Sequence, residues 1–259
     1  MKVVIFCGGK GTRLREETEY RPKPMVPIGN HPILWHIMKL YAHYGHREFI
    51  LCLGYKGDVI KDYFRNYLWM TSDVTLRLGQ KPETTFHGSH GEEDWSVTLA
   101  ETGEDSMTAE RLRRVERYLG DDEEFLLTYG DGVGDVDIPA SIDYHRKADR
   151  MMTVTSVHPP GRFGDLEIAL DGEVKSFNEK PQAEGGWING GFFVVNRSIF
   201  GQIADCGDVM LERGPLNQIT ANNQLGAYRH TGFWQPMDTY QEFLYLNKLW
   251  REGNAPWKV

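Results

Sequence analysis

The chain has 259 residues, room for one large domain or two small ones, and its 40% hydrophobic content suits an ordinary globular core. Its 37 acidic residues outnumber its 29 basic ones, for a net charge of −8, which argues against a nucleic-acid-binding surface because that needs a basic stripe. No run of about 18 apolar residues exists and the first residues carry no basic region or cleavage site, so neither a membrane span nor a signal peptide is expected, and the cytoplasm is the expected compartment.

Residues 3–7 read as a buried strand. Residues 31–44 read as a helix: Pro32 suits a first turn, Ile33, Ile37, Leu40, Tyr41 and Tyr44 fall at helical spacing, and Gly45 can cap the end. Residues 48–53 form a second apolar strand and 58–68 a second amphipathic helix. The polar, Gly- and His-containing stretch 79–95 reads as a surface excursion. A helix is expected over 107–119, and an apolar strand over 125–129 that runs into Gly130-Asp131-Gly132. A helix over 138–147 and a Thr- and Val-rich strand over 152–157 follow. Residues 164–177 alternate like a hairpin around Asp171-Gly172, a strong turn pair. A strand over 188–196, a short helix over 197–204 and a last helix over 240–253 complete the chain. Strands and helices alternating at this length imply crossover connections. The expected fold is α/β, with a mixed, mainly parallel, Rossmann-like sheet flanked by helices. One domain over 1–259 is expected, its first half to about 150 holding a nucleotide and 151–259 the second ligand. Cys7, Cys52 and Cys206 are odd in number, far apart and form no C-x-x-C pair, which suits reduced thiols.

The loop after the first strand carries the chemistry. Gly8, Gly9 and Gly11 give conformational freedom, Thr12 a hydroxyl and Arg13 a guanidinium fork for phosphate. The loop lacks the G-K-[ST] of a Walker A motif, and Leu14 occupies the third glycine position of the dinucleotide fingerprint, so both patterns are excluded. Glycines alone fit a tight strand-to-helix turn equally well. Lys23, held between Pro22 and Pro24, shifts the balance, because a stiff arm suits a lysine used as a positioned charge.

Asp131 follows an apolar strand, at the edge where open α/β sheets bind ligands. Taken singly it reads as a turn residue, and Asp238 as a helix N-cap with Glu242 nearby. Together they make an oxygen pair of the kind magnesium takes. Lys180 suits a phosphate monoester and Glu179 sugar hydroxyls, although a glutamate–lysine pair before Pro181 is also common on surfaces. Ser106 or Thr108 suits the N-cap of the helix that carries Arg111, and a helix N-terminus favours anions. Asp135-Val136-Asp137 has the D-x-D form of a metal-dependent glycosyltransferase but reads more simply as a loop before the next helix. His31, His36, His43 and His46 lack carboxylate partners in the sequence and read as packing or surface residues, with no metal assigned. Cys7 reads as packing.

Gly8-Gly9-x-Gly11-Thr12-Arg13-Leu14 followed by Pro22-Lys23-Pro24-Met25 resembles the signature of the sugar-1-phosphate nucleotidyltransferases. Trp35-His36-Ile37-Met38, Tyr129-Gly130-Asp131-Gly132, Pro160-Gly161-Arg162-Phe163-Gly164, Ile188-Asn189-Gly190-Gly191 and Phe233-Trp234-Gln235-Pro236-Met237-Asp238-Thr239 resemble its cytidylyltransferase branch. The resemblance runs nearly end to end. It implies the nucleotide-diphospho-sugar transferase fold and a Mg²⁺-dependent reaction of CTP with α-D-glucose 1-phosphate. It assigns Arg13 and Lys23 to catalysis, and Gly8, Gly9, Gly11, Thr12, Ser106, Arg111 and Gly130 with them to the nucleotide. Asp131 and Asp238 fall to Mg²⁺, and Glu179, Lys180, Asn189 and Gly190 to the sugar phosphate. Arg162 lies in a loop that the family places beside the sugar pocket. A homo-oligomer is implied, possibly a hexamer, with the aromatic stretch 63–70 available for contact. The chain departs from the pattern at Ala109-Glu110, where two glycines are expected, and at Phe6-Cys7, where Leu-Ala is usual. The same chemistry with dTTP, UTP or another sugar 1-phosphate, and a non-catalytic sugar-nucleotide-binding protein, stay open at this point.

Overall fold

A computed structural model describes residues 1–9, 11, 14–88, 94–159, 165–168, 173–178 and 186–259. Seven strands form the central sheet: β1 (Val3–Phe6), β2 (Glu48–Leu53), β3 (Ser96–Glu101), β4 (Glu124–Tyr129), β5 (Met152–Val157), β6 (Ile188–Asn196) and β7 (Leu225–Arg229). Their spatial order is β7-β5-β6-β4-β1-β2-β3. β1 pairs in parallel with β2 and β4, β2 with β3, and β5 with β7. Only β6 runs against its neighbours, β4 and β5. The sheet is therefore mixed and mainly parallel, as the alternation of elements predicts.

The side-chain period of two explains why this sheet is covered on both faces. In β1, Val3 and Ile5 join one core with Met38 and Tyr41, while Val4 and Phe6 join the other with Leu112 and Val115. Helices α1 (Ile33–His43), α2 (Gly57–Arg65), α4 (Ile138–Ala148) and α5 (Tyr240–Arg251) supply residues to the first core. Helix α3 (Thr108–Val115) and the short helices Ile199–Ile203 and Pro215–Ala221 supply the second.

Several boundaries differ from the sequence reading. Pro32 precedes α1 at the N-cap with ψ 152°, because residues His31–Pro32 pair with Pro27–Ile28 first. Gly45, at φ +86°, ends that helix as expected. The helix expected over 58–68 breaks at Asn66 into Gly57–Arg65 and Tyr67–Thr71. Part of the supposed excursion is a hairpin, Asp73–Arg77 with Glu83–His87. Its residues are mostly exposed, so the alternation of Val74, Leu76 and Leu78 with polar residues buries no face. The hairpin expected around Asp171-Gly172 is present as Asp165–Ile168 paired with Val174–Asn178, and its turn lies outside the described residues. β3, β7 and the helix Pro215–Ala221 go beyond the sequence reading: β3 is half polar, and Gly226 interrupts β7. Among the described residues no helix is long and apolar enough to cross a membrane.

Candidate active site

The carboxyl ends of β1 and β4 open onto a cleft of about 510 Å³. Cys7, Gly8, Gly9 and Gly11 form one wall; Lys23 and Pro24, Gly130 and Asp131, and Asp238 form the floor; Ser106, Met107, Thr108 and Arg111 close the far side. Tyr129 and Asp131 also line a small neighbouring cavity of about 50 Å³, together with Asn189, Gly190 and Trp234 among others. A larger groove of about 660 Å³, between α2 and β3, holds none of the expected site residues.

Lys23 stands at the start of a single 3-10 turn, Lys23–Met25, whose chain enters through Pro22 at φ −71°. Its ammonium bonds Asp131 Oδ2 at 2.8 Å and also Asp238 Oδ1. The lysine side chain is only 11% exposed. Burial alone would lower its pKa, but the charges and hydrogen bonds of Asp131 and Asp238 outweigh this and hold it above the ordinary lysine value. The two acids, 107 positions apart by their numbers (238 − 131), are thus gathered on one cation.

Asp238 is not the helix cap that its position suggested. Thr239 caps α5 in a capping box, its hydroxyl accepting the Glu242 N–H while Glu242 accepts from the Thr239 N–H at 2.8 Å. Glu242 also accepts the Asp238 N–H at 2.7 Å, which fixes the backbone while the Asp238 carboxylate turns to Lys23. Asp137, by contrast, does cap α4, accepting the Ala140 N–H, and Asp135 lies 3.0 Å from His230. The D-x-D run is therefore engaged in local structure.

Arg111 is nearly fully buried. Its two terminal nitrogens donate to the carbonyls of Leu53, Gly103, Gly8 and Glu104 and to the Thr102 hydroxyl, at 2.8–3.2 Å. Burial lowers its pKa, and no carboxylate pairs with it in these bonds. The guanidinium thus ties the phosphate loop to two neighbouring loops. A Cβ on Gly8 would stand 2.2 Å from this guanidinium, whereas one on Gly9 would meet nothing within 4 Å. Gly11 needs its freedom for a φ of +59°. The extra carboxylate of Glu110 turns away from the cleft to Arg113 and Arg114, at 2.6–2.8 Å. The Arg113 bond, set against burial and helped by Arg114, holds Glu110 below the usual carboxylate range.

The N-terminus of α3 is satisfied by the segment around residue 210. Met107, not Ser106 or Thr108, occupies the N-cap, and no side chain of its own caps the helix. The Met107 N–H donates to Asp208 at 2.6 Å and the Ala109 N–H to the Val209 carbonyl at 3.1 Å. An acid of the protein therefore already fills part of the place that an anion would take.

At the small cavity, Gly190 is buried against β5, where a Cβ would be 2.8 Å from the Thr155 carbonyl, and its own carbonyl accepts from Trp234 at 2.7 Å. Asn189 Oδ1 accepts the Gly191 N–H at 2.8 Å. Thr12, Arg13, Arg162, Glu179 and Lys180 lie outside the described residues. Cys7 and Cys52 are buried; burial pushes the Cys7 thiol up and the Cys52 thiol up to about 12, which suits packing. Among the described residues no three His, Cys, Asp or Glu side chains converge as a metal cluster. His36 is a core residue: its Nε2–H donates to the Ile28 carbonyl at 2.9 Å and its Nδ1 accepts from Trp257 at 3.4 Å.

The nucleotidyl transferase family model matches residues 2–235, and the chain belongs to that family. It is 52% identical over 259 residues to the glucose-1-phosphate cytidylyltransferase of Salmonella typhimurium, covering 100% of this chain and 99% of that protein. It is 45% identical to a Bacillus subtilis protein described as "Probable glucose-1-phosphate cytidylyltransferase", covering 100% of both. In fold it is similar to the UDP-glucose pyrophosphorylase of Acinetobacter baumannii, with a TM-score of 0.67 at 15% identity over 98% of this chain and 95% of that one.

Proposed function

We propose that the protein joins CTP to α-D-glucose 1-phosphate, releasing CDP-glucose and pyrophosphate. The full-length 52% identity to a glucose-1-phosphate cytidylyltransferase carries this reading, and the cleft geometry agrees with it. In the reaction a phosphate oxygen of the sugar phosphate attacks the α-phosphorus of CTP in line. The bond from that phosphorus to the bridging oxygen breaks, and pyrophosphate leaves with the electron pair. The nucleophile is already an anion at neutral pH, so no general base is needed. The work of the protein is positioning and charge stabilisation.

Gly9 presents open backbone to the phosphates. Lys23 exchanges its carboxylate partners for phosphate oxygens as the triphosphate enters, and Arg13 adds a second cation. Lys180 orients the sugar phosphate and Glu179 and Asn189 the sugar. Arg111 serves this site as a brace on the loop at Gly8, through the bonds described above. Asp131 and Asp238 fit a hard divalent cation: two carboxylates from separate elements meet at a point where a positive charge already rests. These two would hold Mg²⁺, which supplies charge neutralisation where two phosphate anions meet. We further read the protein as cytoplasmic and as a homo-oligomer.

A panel of the common nucleoside triphosphates with glucose 1-phosphate, read by pyrophosphate release with and without Mg²⁺, tests the proposal. CTP is expected to give the highest kcat/KM, and turnover is expected to vanish with chelator. A clear preference for dTTP or UTP would overturn the base assignment. Tight binding of the sugar nucleotide without turnover would make the protein a binder.

A further inference from the structure

Tyr129 ends β4 and, with Asp131, lines both the cleft and the small cavity at Asn189. Its ring is confined by Phe6 and Phe193, each 5.9 Å away between centroids, and by the backbone of Gly191, where a Cβ would lie 2.7 Å from the ring. Its hydroxyl donates to Glu212 Oε1. The other oxygen of Glu212 accepts from the Thr108 hydroxyl at 3.0 Å, and that hydroxyl accepts the Leu211 N–H at 2.7 Å. One carboxylate therefore joins the Tyr129 ring to the first turn of α3, which borders the cleft from the far side.

We propose that Glu212 is a positioning residue that fixes Tyr129 where it lines the two cavities and so sets where the sugar phosphate stands relative to the triphosphate. The proposal rests on the functional reading above. A neutral phenol on a carboxylate is a strong, directional tether, and burial followed by the Glu212 charge pushes the Tyr129 phenol well up, so it remains a donor. Without the tether the ring keeps its packing, but its hydroxyl end is no longer held in one place. The width of the sugar side would then be set loosely, which weakens binding of that substrate before it slows chemistry.

The test compares Tyr129→Phe, Glu212→Ala, Glu212→Gln and the Tyr129→Phe/Glu212→Ala double variant in steady-state kinetics, varying each substrate in turn, with thermal unfolding alongside. Tyr129→Phe and Glu212→Ala are each expected to raise the KM for glucose 1-phosphate about tenfold, the scale of one hydrogen bond to a charged group, with a smaller change in kcat. Because both remove the same tether, the double variant should be no worse than the poorer single one. Glu212→Gln, which keeps an acceptor oxygen, should restore most of the lost affinity. An unchanged sugar-phosphate KM in Tyr129→Phe, which retains the ring and its packing, would overturn the proposal even if Glu212→Ala failed to fold. So would effects that multiply in the double variant, or a loss in Glu212→Ala matched by Thr108→Val but not by Tyr129→Phe. If the unaltered enzyme itself turned over no CTP with glucose 1-phosphate, the functional reading would fall first, before any variant was made.

Discussion

Gly8 and Gly9 are chemically identical neighbours with different reasons to be glycine. The first makes room for a buried guanidinium, and the second leaves backbone open to the cleft. Gly8→Ala should overpack the loop and cost about 1–3 kcal/mol of stability, seen as a lower melting temperature. Gly9→Ala should leave the melting temperature unchanged and, on the proposed function, raise the KM for CTP. Lys23→Ala should lower kcat by about 10²–10³ with folding retained, the scale of a lost transition-state charge contact. Near-native turnover in that variant would remove Lys23 from the catalytic set. At this scale the sequence was informative about residue types and poor about partners. The pairing of Lys23 with both acids lies across most of the chain, and no local pattern announces it. The resemblance assigns Arg111 to the nucleotide. Its engagement by backbone carbonyls was not legible, because carbonyl acceptors leave no mark in a sequence.

Among the elements, α1 and the C-terminal segment meet at His36. Its neutral ring is used at both nitrogens, one as donor to Ile28 and one as acceptor from Trp257. Protonation would turn the acceptor into a donor facing the indole N–H. Burial, only partly offset by the Ile28 bond, holds its pKa down to about 4 from the ordinary 6.5. The unfolded chain therefore takes up this proton first as the pH falls. Stability from this residue is whole above pH 6.5, declines between 6.5 and about 4, and is level below that, a loss on the order of 3 kcal/mol. Chemical denaturation across that range should show the decline, and His36→Gln should flatten it while lowering stability at neutral pH. Helical spacing marked α1 correctly as amphipathic and His36 as packing. It placed the helix start two residues early, because the tight Pro27–Ile28 ladder claims His31–Pro32. The bounds of β2, β5 and β6 agree with the sequence to the residue, since β2 is an almost unbroken apolar run, β5 is rich in β-branched residues and β6 carries the run Phe192–Val195. The half-polar β3 and the Gly-interrupted β7 gave no such signal.

At the scale of the molecule, Gly8 after β1, Asp131 after β4 and Asp238, which follows the small Trp234–Pro236 ladder outside the central sheet, meet in a single cleft. The short helix Tyr67–Thr71 and the hairpin after it stand outside that sheet; the first exposes Leu68, Trp69 and Met70, and the second Leu76 and, at its turn, Leu78, the last 89% exposed. On the proposed self-association, light scattering after size exclusion should give more than one chain per particle. Replacing Trp69 and Met70 with polar residues should lower that number. A monomer at micromolar concentration would overturn the reading. Within the aromatic stretch 63–70, Tyr63, Phe64 and Tyr67 pack on one another and Trp69 sets one edge against Phe86, so the exposed surface lies at Leu68, the outer part of Trp69 and Met70.

The capping box at Thr239 has a bearing on where this protein can be cut. The family match ends at residue 235, after all seven strands of the sheet. Asp238 and α5 come later, and Asn247 of that helix clasps the arm beyond Lys23 by accepting the Gly29 N–H at 2.9 Å and donating to the Pro27 carbonyl at 3.2 Å. A chain ended at 235 would retain the whole sheet yet lose one of the two acids, the helix tip that aims it, and the hold on the lysine's arm. The central sheet and the proposed site therefore have different lengths, and the last two dozen residues serve the second.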